Sequence, residues 1–318
     1  DPFMKALVYD GKLSLQQVPD PTPKQGEVMI RVRYSSICNT DLEILQGYMG
    51  FKGILGHEFV GEVVSEKSRL FGKDVVGEIN ISCGHCYMCQ TGRKSHCTNR
   101  SVMGIFEHAG AFADYVVLPE KNLHVVPPNV ELPNAVFTEP LAAALEIFEQ
   151  TKINPTDNVF IFGAGKLGLL ITQVFRLSGC EYTLFDVNPH KVEFARGLGL
   201  PTKNVDTLHP DDRAEICVDC TGSPDGFGIA MKHLRPRGKL ILKTTVADPA
   251  KIDLNQIVVN ELNIIGSRCG VFEPALSLLS QKLVDVEPLI TKVFPFDEIE
   301  EGFKMAAKPE SIKVLIRH

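Results

Sequence analysis

The stretch NVFIFGAGKLG at 158–168 constrains the fold of this chain more than any other. An apolar run of β-formers enters Gly163-x-Gly165-x-x-Gly168, and the apolar spacing that follows is helical. The first glycine permits a tight turn, the second lets backbone approach a pyrophosphate, and the third lets the helix pack on the strand. Free N–H groups at the helix start then face the phosphates. The next strand, TLFDV, ends on Asp186, 23 positions after Gly163 and close to the ~20 expected of a ribose-binding acid. Such a carboxylate accepts ribose hydroxyls and repels a 2′-phosphate, so NAD(H) is expected over NADP(H), with Lys191 nearby to offset part of the charge.

Strand and helix patterns alternate around this turn. Strands are expected at 158–163, 182–187, 215–221, 239–244 and 262–267, with helices at 165–178, 189–198 and 224–234. That is the pattern of an α/β doubly wound parallel sheet. The first ~135 residues differ: KALVYDG, LSLQQVP, EVMIRVRYSSI, FVGEVVSE, KDVVGEIN and FADYVVLP are short Val/Ile-rich runs split by Gly, Pro and Asp. In EVMIRVRY, alternation puts Val28, Ile30, Val32 and Tyr34 on one face and Arg31 and Arg33 on the other. The helix EIEEGFKMAAK and strand KVLIRH at the end fit neither pattern of a doubly wound sheet. The expected division is 4–136 for a β-rich domain, 137–284 for the dinucleotide domain and 285–318 for a return to the first.

Cys83, Cys86, Cys89 and Cys97 form a C-x2-C-x2-C-x7-C run. Four thiolates from one loop close a tetrahedral structural zinc site. An iron–sulfur loop would place its fourth cysteine nearer and follow it with Pro, whereas Thr98 follows Cys97. Of the remaining cysteines, Cys217 and Cys220 lie in EICVDCTG, which reads as a buried strand rather than a redox pair. This usage predicts a reducing, cytoplasmic setting.

A hydrophobic content of 44% and charged content of 23% describe an ordinary globular chain. With net charge −6 and no basic cluster, nucleic acid and anionic membranes are not expected partners. No apolar run approaches the ~20 residues of a membrane helix. No signal peptide is recognised, and Asp1-Pro2-Phe3 reads as a remnant ahead of Met4.

A closed thiolate site does no chemistry, so any metal-assisted reaction requires a second site. Catalytic zinc needs three protein ligands and an open position. Cys38 and His57 supply two, and either Glu58 or Glu139 the third. Together, Cys38-Asn39-Thr40-Asp41, Gly56-His57-Glu58, the four-cysteine loop, Glu139-Pro140-Leu141 and the glycine fingerprint resemble, in order, the zinc-dependent medium-chain dehydrogenase/reductases, the group of alcohol, sorbitol, threonine and glucose dehydrogenases. The resemblance spans essentially the whole chain. It implies a GroES-like catalytic domain joined to a Rossmann domain, two zinc ions per chain, and hydride transfer between an alcohol or polyol and NAD(H). It implies Cys38 and His57 as catalytic zinc ligands, with Glu58 coordinating in sorbitol- and threonine-type members and Glu139 occupying the third-ligand place of alcohol dehydrogenases. Lys166, Leu167 and Thr221 join Gly163, Gly165, Gly168, Asp186 and Lys191 as cofactor-site residues. Thr40 would hydrogen-bond the reacting oxygen and begin a proton relay, which Glu43 continues where many relatives carry a histidine.

Asn39 in place of the usual glycine, the short interval between Glu58 and Asp74, and Gly110-Ala111-Phe112-Ala113 depart from the family pattern. They leave the small-molecule substrate open. Glu43 favours an aldose oxidised at C1 as the alternative, and a zinc-stabilised dinucleotide sensor is the non-enzymatic one. Tyr48, Phe51, Phe106 and His108 are candidate pocket residues. An apolar last strand, ELNIIGS at 261–267, predicts a homo-oligomer, dimer or tetramer.

Overall fold

The computed structural model describes residues 2–246 and 251–318. They form two compact units. The first comprises Asp1–Glu139, Leu276–Gln281 and Leu289–His318, and the second Pro140–Ala275 and Lys282–Pro288.

The first unit is built on the long strand Glu27–Ile37. It pairs antiparallel with Glu58–Val63, with Tyr115–Pro119 and with Lys313–Arg317, and the last of these lies parallel to Ile290–Pro295. Val28, Ile30 and Val32 are buried, and Arg31 and Arg33 are exposed, as alternation requires. Tyr34 departs from that expectation. A register shift against Glu58–Val63 falls between Val32 and Tyr34, so Tyr34 is only half-buried while Ser35, Ser36 and Ile37 are all buried. A bulge of this kind adds a residue to one strand and re-aims the side chains beyond it. The re-aimed segment leads directly into Cys38. Beneath it, Ile37, Ile44, Leu55, Phe112, Phe303 and Ile316 form one apolar cluster, with the Phe112 and Phe303 rings edge to face at 5.7 Å.

The second unit is a six-stranded, all-parallel sheet. Its spatial order is Thr202–Asn204, Glu181–Asp186, Asn158–Phe162, Ala214–Asp219, Leu234–Leu242, Asn263–Gly266. Numbered along the chain this is 3-2-1-4-5-6, the Rossmann order, whose direction of progression reverses beside the first strand. Helices Lys166–Arg176, Pro189–Gly197 and Pro224–Lys232 connect successive strands. Asn188 and Ser223 cap the latter two with side-chain oxygens, and Pro stands at the first turn of each, where its missing N–H costs nothing. The fifth strand starts at Leu234 rather than 239, because the ladder to Ala214 resumes before an irregularity between Ala214 and Ile216. Phe160, Phe162 and Phe185 pack with ring centroids 5.1–6.4 Å apart in the core of this unit.

Candidate functional site

The four-cysteine loop is folded by two short helical turns, Tyr87–Gln90 and Lys94–His96. They bring the sulfurs of Cys86 and Cys89 to 3.5 Å, Cys83 and Cys97 to 3.5 Å, Cys86 and Cys97 to 3.7 Å, and Cys83 and Cys89 to 4.0 Å. A tetrahedron with metal–sulfur bonds of ~2.3 Å has edges of about 3.8 Å, so the four sulfurs match the corners of a zinc tetrathiolate. All nine cysteines are free thiols. Backbone N–H donors favour the thiolate at two of the four: those of Cys89 and Thr98 pull Cys86 down to about 5, and that of His85 pulls Cys83 to about 7, whereas desolvation pushes Cys89 up to about 11.

Cys38 ends the long central strand and starts the helical turn Asn39–Ile44. Its sulfur, an imidazole nitrogen of His57 and a carboxylate oxygen of Glu58 all lie within 4.8 Å of one another. Glu139 is not one of this group; its charge acts instead on Lys313. Two residues that ligand spacing did not reveal hold the group in place. Asp41, fully buried, accepts the Cys38 N–H through Oδ2 at 2.8 Å, and its Oδ1 lies 3.4 Å from His57 Nδ1. Carboxylates in this relation orient metal-ligating histidines. Burial alone would push the His57 imidazole down, but the Asp41 carboxylate and Cys38 carry it well above the ordinary histidine value. Lys313, also buried, pairs with Glu58 Oε2, and the Ser36 hydroxyl donates to the same oxygen. Burial would raise the Glu58 carboxyl, yet Lys313 and His57 hold it below its usual range.

Glu58 Oε1 and His57 Nδ1 are buried without a geometrically good hydrogen bond. A buried carboxylate oxygen left unpartnered beside a thiol and an imidazole costs free energy unless a cation completes it. The donor set of sulfur, nitrogen and carboxylate oxygen is one that zinc takes in sites keeping an open position. The residues therefore fit zinc. Asp41 was legible in part, since it stands within the Cys38 motif. Lys313 was not, because 255 residues separate it from Glu58.

Thr40 Oγ1 lies 3.9 Å from Cys38 Sγ, and Glu43 follows one turn later on the same face. Burial raises the Glu43 carboxyl, so it is not an ordinary solvated acid. Tyr48 is exposed, and Phe51 packs against the apolar cluster under the strand. Phe106 is half-buried, and His108 turns its Nδ1 to the Ala109 carbonyl at 2.8 Å.

In the second unit Gly163 adopts φ +105°, and a Cβ there would meet the Cys220 backbone at 2.8 Å. A Cβ on Gly168 would stand 1.7 Å from the Gly163 carbonyl oxygen. At Gly165, which caps the helix Lys166–Arg176, a Cβ would meet nothing within 4 Å. The two outer glycines are thus required by the turn itself, while the middle one leaves an open cradle at a helix N-terminus, as a pyrophosphate needs. Lys166 and Leu167 form the first helical positions. Asp186 ends its strand and accepts the N–H groups of Ala164 at 2.7 Å and Asn188 at 2.8 Å, one per oxygen. Each oxygen keeps a further lone pair for a ribose hydroxyl. Thr221 gives both its N–H and its hydroxyl to Asp219 Oδ1, and Lys191 sits in the first turn of the helix after Asp186. Cys217 is fully buried, and burial raises both its thiol and that of Cys220, which leaves the pair inert.

Residues 24–128 match the model of the alcohol dehydrogenase GroES-like domain, and residues 167–281 that of the zinc-binding dehydrogenase domain. A sorbitol dehydrogenase of Halalkalibacterium halodurans is 29% identical over 341 residues, covering 98% of this chain and 99% of the relative. An L-threonine 3-dehydrogenase of Saccharopolyspora erythraea is 30% identical over 340 residues, covering 98% of each. Among solved structures, a short chain alcohol dehydrogenase (rspB) from Escherichia coli CFT073 complexed with NADH superposes with a TM-score of 0.92 at 27% identity, over 99% of both chains. Fold, donor sets and relatives agree: this chain belongs to the zinc-dependent medium-chain dehydrogenase/reductases, oxidoreductases that act on CH–OH groups with NAD(P).

Proposed function

We propose that the protein is an NAD-preferring dehydrogenase of polyols and related alcohols that carries two zinc ions per chain. The observation that supports this most directly is the convergence of half-buried Cys38 with buried His57 and Glu58, with one Glu58 oxygen locked by Lys313 and Ser36 and the other unpartnered. These three residues would hold the catalytic zinc, and Cys83, Cys86, Cys89 and Cys97 the structural one. When bound, the catalytic ion supplies a Lewis acid that polarises the substrate oxygen.

The protein's own groups do the rest. Asp41 fixes the imidazole, and Lys313 with Ser36 fixes the carboxylate, so neither ligand reorients as charge develops. Thr40 Oγ1 takes the substrate hydroxyl proton as it hands its own to the Glu43 carboxylate, half-buried one turn further, which releases a proton to solvent. The open turn at Gly165 receives the pyrophosphate, and Asp186 receives the ribose hydroxyls and disfavours a 2′-phosphate. The sorbitol and threonine dehydrogenases among the relatives support a polyhydroxylated or amino-alcohol substrate. Oligomerisation is part of this reading: the edge strand Asn263–Gly266 carries Ile264 at 36% exposure, and the preceding helix Leu254–Val259 leaves Leu254, Val258 and Val259 at 67–79%. Apolar surface beside an open sheet edge suits two-fold pairing with a second copy.

One experiment tests the reading. Metal-replete protein is assayed for zinc content and for reduction of NAD and NADP by sorbitol, threonine, simple diols and aldoses. Two zinc ions per chain and turnover with a polyol or amino alcohol are expected, with Thr40→Ala slowing turnover by about 10²–10⁴-fold at unchanged zinc content. Turnover confined to aldoses would move the assignment to C1 oxidation, and one zinc per chain would refute the second metal site.

A further inference from the structure

Lys243 immediately follows strand Leu234–Leu242 and is buried at 8% exposure. Its backbone N–H donates to the Asp219 carbonyl at 3.0 Å, which fixes it at the carboxyl end of the sheet beside the turn that carries Cys220 and Thr221. Its side chain reaches the Ala143 carbonyl at 2.5 Å, Ser267 Oγ at 2.9 Å and the Arg268 carbonyl at 3.2 Å. An ammonium has three N–H donors and a neutral amine two, so three oxygen acceptors suit the charged form. Glu146 lies within its electrostatic reach: burial pushes that carboxyl up, and Lys243 pulls against the shift.

The position of this cation matters because of the strand order. In doubly wound sheets the dinucleotide lies outside the carboxyl ends, across the point where the order reverses. Here that point falls between Asn158–Phe162 and Ala214–Asp219. Asp186 marks the adenosine half, on the side of Glu181–Asp186. The nicotinamide half therefore falls to the ends of Ala214–Asp219, Leu234–Leu242 and Asn263–Gly266; the Asp219 carboxylate ends the first of these, and Lys243 is a buried cation anchored across the last two. The oxidised nicotinamide ring carries a positive charge that the reduced ring has lost.

Resting on the dinucleotide reading above, we propose that Lys243 sets the redox preference of the cofactor site, disfavouring NAD⁺ relative to NADH by placing a fixed cation at the nicotinamide end. By linkage, the ratio of the two dissociation constants is the factor by which the bound hydride-transfer equilibrium is drawn toward reduced cofactor. Bound NAD⁺ is then a stronger hydride acceptor, and reduced product leaves more slowly.

Binding of NAD⁺, NADH and ADP-ribose to zinc-loaded wild type, Lys243→Met and Lys243→Arg is measured by calorimetry, without turnover. NADH should bind wild type at least about tenfold more tightly than NAD⁺. Lys243→Met should shrink that ratio by roughly three- to thirtyfold, the order expected of one partly screened unit charge, while ADP-ribose, which lacks the ring, binds as before. Lys243→Arg should preserve the ratio. Equal weakening of all three ligands in Lys243→Met would overturn the proposal and make Lys243 a structural brace. If Lys243→Met does not fold, a wild-type protein binding NAD⁺ as tightly as NADH overturns it as well. Wild type that binds not even ADP-ribose would refute the dinucleotide reading itself, and this inference with it.

Discussion

Ser36 and Lys313 both donate to one oxygen of Glu58, and Asp41 stands behind His57, so each candidate ligand is braced by a residue with no metal contact of its own. Bracing of this kind extends along the same strand to Ser35, whose hydroxyl meets His318 Nε2 at 2.8 Å while the imidazole lies on Phe296 with centroids 4.3 Å apart. Burial pushes the His318 ring down to about 3. The ring is thus neutral in the folded protein through the range where an unfolded chain, near 6.5, takes up a proton. Between about pH 6.5 and 3 the unfolded state binds more protons, and stability falls as pH is lowered, by up to ~1.4 kcal/mol per pH unit from this residue. Above about pH 7 the residue contributes no pH dependence. Urea titrations from pH 7 to 4.5 should therefore show a shallower loss of stability for His318→Phe than for wild type. Parallel pH profiles would show that the ring is not held neutral.

At the scale of elements, the four-cysteine loop and the glycine turn were both legible in the sequence because their geometry is local. Sulfurs spaced two residues apart across a helical turn converge whatever the rest of the chain does, and the turn's glycines are dictated by backbone within a few residues or on the adjoining strand. Such a thiolate loop has little core of its own: Cys97 is buried, while Cys83, Cys86 and Cys89 are half-exposed. Its fold then depends on the metal. Cys89→Ser should lose one zinc per chain and lower the thermal midpoint by roughly 5–15 °C, as a loss of about 2–4 kcal/mol does in a chain of this class. Turnover per folded molecule should persist at low temperature. A folded Cys89→Ser protein that keeps the other zinc and has no turnover would show that the loop takes part in the chemistry.

For the whole molecule, the edge formed by Asn263–Gly266 and the exposed apolar side chains of Leu254–Val259 predict a dimer or larger assembly at micromolar concentration. Light scattering should give a mass of at least twice the 35.1 kDa of the chain, and Val258→Glu with Val259→Glu should reduce it to the monomer. A wild-type mass of 35.1 kDa would refute the pairing.

The sequence by itself determined the parallel sheet, its glycine turn, the acid at the end of the second strand and the thiolate loop, because the turn and the loop are written in residues a few positions apart and the sheet and its acid in a regular alternation of strand and helix patterns. It also carried Cys38 and His57, though it left Glu58 and Glu139 as alternatives. Only the tertiary structure decided which carboxylate stands beside them. That choice depends on a bulge in the strand Glu27–Ile37, on the strand Lys313–Arg317 pairing back onto it, and on the Lys313 ammonium this brings to Glu58. A charge pair joining residues 255 positions apart has no local periodicity, and its partner becomes visible only when both are taken out of water together. The same holds for Lys243, an unremarkable lysine after an apolar strand until the ends of neighbouring strands and the Ala143 carbonyl close around it.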